Sequence, residues 1–155
     1  MRIITVNTNG IRAAERKGFF PWLAQQEADV VCIQETKAQP EQLTADAFRP
    51  AGYHCYYHSA EKKGYSGVAI YSKYKPDKVI VGMGFDDIDS EGRYIEVQLG
   101  KLSVISLYLP SGSSKEERQA FKYTVMDRYM PILQENANSK RDYIICGDWN
   151  IAHKE

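Results

Sequence analysis

Two short runs, Val30-Val31-Cys32-Ile33 and Tyr143-Ile144-Ile145-Cys146, are apolar at consecutive positions rather than alternate ones. A strand with one wet face alternates, whereas a strand apolar throughout is covered on both faces, as in layered α/β folds. Both runs end alike. The first delivers Gln34-Glu35-Thr36-Lys37 and the second Gly147-Asp148-Trp149-Asn150 into a polar turn. A carboxylate therefore stands at the carboxyl end of each buried strand, where open α/β sheets place their reactive groups. Two carboxylates in that setting suit a hard cation.

Around these runs the pattern predicts a strand from Arg2 to Asn7, a helix from Gly18 to Gln26 with Pro21 in its first turn, and a short helix from Pro40 to Phe48. Five strand-like stretches follow with no room for helices between them: Tyr53 to His58, Gly67 to Ser72, Lys78 to Met83, Arg93 to Leu99 and Ser103 to Leu109. Short polar turns make such neighbours antiparallel. A helical stripe spans Glu116 to Asn136, where Pro131 is expected to kink it or split off its last turn. The expectation is an α/β fold built on one mixed sheet with helices against one face. Its other face would then need cover.

A length of 155 residues fits one domain with a core of its own. Twenty basic residues balance 20 acidic ones, so any phosphate binding must be local rather than the effect of a bulk positive field. Cys32, Cys55 and Cys146 show no ligand spacing and read as reduced core thiols, which predicts a cytoplasmic setting. No apolar run approaches a membrane span.

Five segments in order carry a resemblance: Val6-Asn7-Thr8-Asn9-Gly10-Ile11-Arg12, Ala28-Asp29-Val30-Val31-Cys32-Ile33-Gln34-Glu35-Thr36-Lys37, Gly64-Tyr65-Ser66-Gly67-Val68-Ala69, Tyr108-Leu109-Pro110-Ser111-Gly112, and Gly147-Asp148-Trp149-Asn150. Together they resemble the exodeoxyribonuclease III family of apurinic/apyrimidinic endonucleases, within the endonuclease/exonuclease/phosphatase superfamily. The resemblance implies a DNase I-like, four-layered α/β sandwich, of which this chain would be the first half. Residues 1 to 155 then read as the N-terminal part of a single domain, truncated before the family's Asn-x-Gly-x-Arg-x-Asp-like and Ser-Asp-His motifs. The chain alone is accordingly expected to be nearly inactive. It is also expected to leave the second face of its central strands to another segment, a second copy or loose collapse.

By resemblance the activity is Mg²⁺-dependent DNA repair hydrolysis, with Mn²⁺ as a substitute: nuclease cleavage 5′ to abasic sites, removal of nucleotides from 3′ ends of double-stranded DNA, or both. Tyr108, Asp148 and Asn150 would be catalytic, with Asp148 the acid/base group and Asn150 orienting water. Asn7, Glu35, Asp148 and Asn150 would surround the metal. Lys37, Tyr65, Ser66 and Arg93 would contact DNA through phosphate rather than base identity. Asn9 is as well explained by the turn before Gly10 as by a metal contact. None of His54, His58 and His153 matches the catalytic His of the family's Ser-Asp-His motif, and no obligatory protein partner is evident. A catalytically silent nucleic-acid-binding regulator and a phosphoesterase for inositol phosphates are the competing readings. The joint presence of Glu35, Tyr108, Asp148 and Asn150 weighs against the first, and the Gln34-Glu35-Thr36-Lys37 string against the second.

Overall fold

In the computed structural model, which describes residues 1–112 and 115–151, the strand-forming runs sort into two four-stranded sheets. The first contains β1 (Ile3–Asn7), β2 (Val30–Gln34), β3 (His54–His58) and β4 (Val68–Ser72) in the order β1-β2-β4-β3. The second contains β5 (Lys78–Val81), β6 (Tyr94–Leu99), β7 (Leu102–Tyr108) and β8 (Asp142–Asp148) in sequence order. Both sheets are mixed: β1 runs parallel to β2 and β7 to β8, while every other pairing is antiparallel. The α/β class and its helix-flanked mixed pairing agree with the sequence reading, but the expected single sheet is divided. The division falls after β4, a fully buried strand already paired on both sides, so β5 has no free edge there and begins a new sheet.

The two sheets pack face to face. Val30, Cys32, Val68 and Ile70 from the first meet Ile95, Val97 and Val104 from the second. This layer explains the consecutive apolar residues of β2 and covers much of the face expected to lie bare. It does not explain those of β8, an edge strand whose Ile144 stays 39% exposed although the sequence predicted cover on both faces. The outer face of the first sheet packs on α1 (Ile11–Arg16) and α2 (Phe19–Ala24) through Ile11, Phe19, Phe20 and Leu23. The outer face of the second packs on α4 (Glu116–Asn138) through Phe121, Val125, Tyr129 and Leu133. A single short turn, α3 (Asp86–Asp89), precedes β6. The layer order is therefore helix, sheet, sheet, helix, with helices on both outer faces rather than one.

Two local expectations change. The stretch from Pro40 to Phe48 forms two 3₁₀ turns, Pro40–Gln42 and Asp46–Phe48, instead of one helix. Its buried anchors Leu43 and Phe48 lie five positions apart, which does not place them on one α-helical face. Helix α4 continues through Pro131 to Asn138. Pro131 lies on the exposed side, where water can solvate the carbonyl left without its N–H partner.

Candidate active site

The parallel pairing fixes where the reactive groups gather. In a parallel pair both strands end at the same rim, and β1 packs beside β8 while β2 packs beside β7. The carboxyl ends of all four strands therefore meet, bringing together Asn7, Glu35, Tyr108 and Asp148. Beneath them polar groups tie β2 to β7 across the sheets and β2 to β1 within the first sheet. The Gln34 amide donates to Ser106 Oγ at 3.0 Å, Ser106 donates to the Ile33 carbonyl at 3.0 Å, and Thr5 Oγ1 donates to Gln34 Oε1 at 3.3 Å.

Asn7 links the two acids. Its Nδ2 donates to Glu35 Oε1 at 2.8 Å and to Asp148 Oδ2 at 3.0 Å, while its carbonyl accepts the Asn9 N–H at 2.9 Å. In this arrangement its oxygen is turned away from the carboxylates and its nitrogen spaces them. Glu35 follows the last residue of β2 with φ 52, and Lys37 has φ 48. These left-handed conformations turn both side chains back across the rim. Lys37 Nζ reaches Glu35 Oε2 at 2.9 Å and Asn9 Oδ1 at 2.5 Å. Partial burial raises the Glu35 carboxyl pKa, but hydrogen bonds from Asn7, Lys37 and Tyr108 and the Lys37 charge outweigh it, leaving Glu35 below its ordinary value. Tyr108 moves the other way: burial, then the Glu35 charge, push its phenol up to about 12, so it remains a donor at neutral pH.

The turn after β8 is clamped from several sides. Asn150, at φ 48, donates its backbone N–H to Asp148 Oδ1 at 2.9 Å and its side-chain amide to the Leu109 carbonyl at 2.7 Å. From α4, the buried Lys122 ammonium donates to the Asn150 carbonyl, and Trp149 packs against Tyr129 with centroids 6.1 Å apart. Among the described residues, no third acid, histidine or cysteine joins Glu35 and Asp148 in a ligand group. The two carboxylates form a hard-oxygen donor pair that fits Mg²⁺, which needs one or two acids and keeps much of its own water.

The residues expected at DNA divide into two kinds. Lys37 lies at the acids, and Tyr65 lines the cavity beside Tyr108, bonded to Arg93 and Arg118. Ser66 is buried and donates to the Gly92 carbonyl at 3.3 Å. Arg93 is only 1% exposed and is bonded to Glu91, to the Tyr108 carbonyl and to the Tyr65 hydroxyl. Sequence reasoning passed over Glu91 and Arg118, which join this cluster from α3's exit and from α4. It also passed over Arg12 and Arg16, which with Lys37 line a shallow recess beside α1. No local signal marks the first pair, because they meet only through the fold. His54 and His58 belong to β3, the far edge of the first sheet, and His153 lies outside the described residues.

A double sheet clad by helices, with acids collected at one rim from both sheets, is the DNase I-like architecture. The chain belongs to the endonuclease/exonuclease/phosphatase family, whose model matches residues 4–155. It is similar to an exodeoxyribonuclease of Bacillus subtilis, with 38% identity over all of this chain and 60% of that protein. It is also similar to a DNA-(apurinic or apyrimidinic site) endonuclease of Dictyostelium discoideum, with 31% identity over all of this chain and 43% of that protein. The solved structure of an AP endonuclease from Archaeoglobus fulgidus superposes with a TM-score of 0.83 and 30% identity, covering 99% of this chain and 59% of that one. The chain thus spans 60% or less of the length of these relatives. No helix among the described residues is long and apolar enough to cross a membrane.

Proposed function

We propose that this chain contributes the acid-bearing part of a Mg²⁺-dependent DNA repair phosphodiesterase that cleaves 5′ to abasic sites, removes nucleotides from 3′ ends, or does both. The observation that carries the reading is the single Asn7 amide held between Glu35 and Asp148, at 2.8 and 3.0 Å, on adjoining strand ends of two sheets. The names of the relatives, an exodeoxyribonuclease and an apurinic-site endonuclease, favour DNA as the substrate.

Under this reading Glu35, with Asp148, would hold the cation, which when bound would supply Lewis-acid stabilisation at the phosphoryl oxygens. Asp148 accepts the proton of the attacking water. Asn150, fixed at its backbone and at its side chain, orients that water. Tyr108 keeps its proton and donates to a phosphoryl oxygen, where an aimed donor is worth most in the transition state. Asn7 holds the two carboxylates at a constant spacing and so saves that ordering at the moment of reaction. Water adds to phosphorus, the P–O3′ bond breaks, the leaving O3′ takes up the proton released from the water by way of Asp148, and the products carry a 3′ hydroxyl and a 5′ phosphate.

The test is incision of an abasic duplex, in Mg²⁺, Mn²⁺ and EDTA, by the whole phosphodiesterase of which this chain is the acid-bearing part. Activity is expected with either metal and none in EDTA. Asp148→Ala should lower the rate by a factor on the order of 10² to 10⁴, the scale of general acid/base groups. Undiminished cutting in EDTA would remove the metal from the reading.

A further inference from the structure

Beside the acid rim, on the other side of Tyr108, lies a cavity of about 380 Å³ between the Tyr65 loop and the first turns of α4. Lys62, Arg93, Lys115 and Arg118 line it, with Glu91 as the one acid. In a chain whose net charge is zero this is a local concentration of cations, and the single carboxylate is already committed. Glu91 Oε1 accepts from Arg118 at 3.0 Å and Oε2 from Arg93 at 2.6 Å.

The two arginines differ in what they have left to offer. Arg93 is 1% exposed; its Nε and NH2 face Glu91, NH1 donates to the Tyr108 carbonyl at 3.0 Å, and NH2 also donates to the Tyr65 hydroxyl at 2.8 Å. Its guanidinium lies 5.1 Å from the Tyr108 ring centroid and 5.7 Å from that of Tyr65. It is a spine between the two tyrosines, with no open side for a ligand. Arg118 instead keeps 31% of its side chain exposed, lies 4.7 Å from the Phe121 centroid, and is oriented by Glu91 and Tyr65. A guanidinium fixed by one carboxylate and partly open to water is suited to a phosphate, with Lys62 and Lys115 as flexible point charges beside it.

We propose that this cavity seats a nucleic-acid backbone phosphate other than the one at the acids, held by Arg118 with Lys115 and Lys62, and that Arg93 is a positioning residue that sets Tyr108 and Tyr65. The proposal rests on the DNA reading above and names the residues through which the strand is gripped. Tyr108 is the shared wall: its hydroxyl meets Glu35, and its ring and carbonyl meet Arg93.

The test reads binding without turnover: fluorescence anisotropy of a short undamaged duplex in EDTA over a NaCl series. Arg118→Gln and Lys115→Gln should each flatten the plot of log affinity against log salt by about one unit, the loss expected for one phosphate contact. Arg93→Lys should keep the slope while lowering the incision rate at saturating abasic DNA, a split that loss of a phosphate contact does not give. Wild-type slopes for Arg118→Gln and Lys115→Gln would overturn the proposal, as would a lost unit in Arg93→Lys alone. Lys115 is exposed and Arg118 keeps 31% of its side chain open, so these two variants decide the matter even if Arg93→Lys fails to fold. Inorganic phosphate at matched ionic strength should displace the duplex no better than chloride. Specific displacement that Arg118→Gln abolishes would assign the cavity to free phosphate instead. Because binding and nicking are read separately, a whole phosphodiesterase that never nicks but shows the slope losses would refute the enzymatic reading and leave the cavity's assignment intact.

Discussion

Ser106→Ala removes one oxygen from the inter-sheet layer, and its cost follows from the side chain that remains. Gln34 is 2% exposed and Ser106 is fully buried, so the Gln34 amide that donated at 3.0 Å cannot turn to water for a replacement acceptor. An orphaned buried donor costs about 1–3 kcal/mol, more than the net worth of the hydrogen bond itself. A loss of about 2 kcal/mol should lower the midpoint of thermal unfolding by about 4–8 °C for a chain of this length. Urea unfolding followed by circular dichroism should show a lower midpoint with an unchanged slope, since the surface exposed on unfolding is the same. The sign of the second step is the sharper test. Gln34→Met in the Ser106→Ala background removes the orphaned amide and should recover part of the loss, giving a coupling of about 1 kcal/mol or more in the double-mutant cycle. Additive effects, or a Ser106→Ala cost below about 0.5 kcal/mol, would refute the claim that this link holds the sheets in register.

Two further outcomes rest on other elements. Burial raises the Glu91 carboxyl, but the Arg118 hydrogen bond and the Arg93 charge outweigh it and hold Glu91 below its ordinary value. A depressed folded pKa contributes stability in full above the unfolded value of about 4.3 and loses it as pH falls through the folded value. The thermal gap between wild type and Glu91→Gln should therefore shrink in acid, and an equal gap at neutral and acid pH would contradict it. Gly67→Ala should destabilise by at least about 1–2 kcal/mol, the cost of a left-handed residue with a side chain. Gly67 sits at φ +88, and its new Cβ would lie 2.1 Å from Thr36 Oγ1. Adding Thr36→Ala should relieve the clash but not the backbone cost, as chemical denaturation would show.

The parts of the fold that were legible in the sequence are those set by local pattern. Val30 to Ile33 announced a strand covered on both faces, and Glu35 and Asp148 announced carboxylates at strand ends, where β2 and β8 place them. The sheet assignment was not legible. Residues 73–77, between β4 and β5, read like any short polar turn, yet they carry the chain from one sheet to the other. Helix α1 escaped because six residues behind Gly10 carry one buried apolar position, Ile11, and so no periodicity. The Arg93 cluster escaped for a different reason. Its members are drawn from the Tyr65 loop, the turn before β6 and the start of α4, with Arg118 lying 27 positions from Glu91 and 53 from Tyr65. Residue type marked Arg93 as a cation for phosphate. Only burial distinguishes a cation that meets a ligand from one that braces the residues around it.

The same contrast bears on how the site depends on the fold. The Asn7 contact to Asp148 joins residues 141 positions apart and crosses from one sheet to the other, whereas its contact to Glu35 stays within a single parallel pair. Strand pairing therefore fixes Asn7 against Glu35, but only the packing of one sheet on the other fixes either of them against Asp148. That packing is mostly apolar and carries little directional information of its own. The buried bond between Gln34 and Ser106, immediately below the rim, supplies direction. A small slide of the sheets would thus separate the two carboxylates while most of the core remained packed.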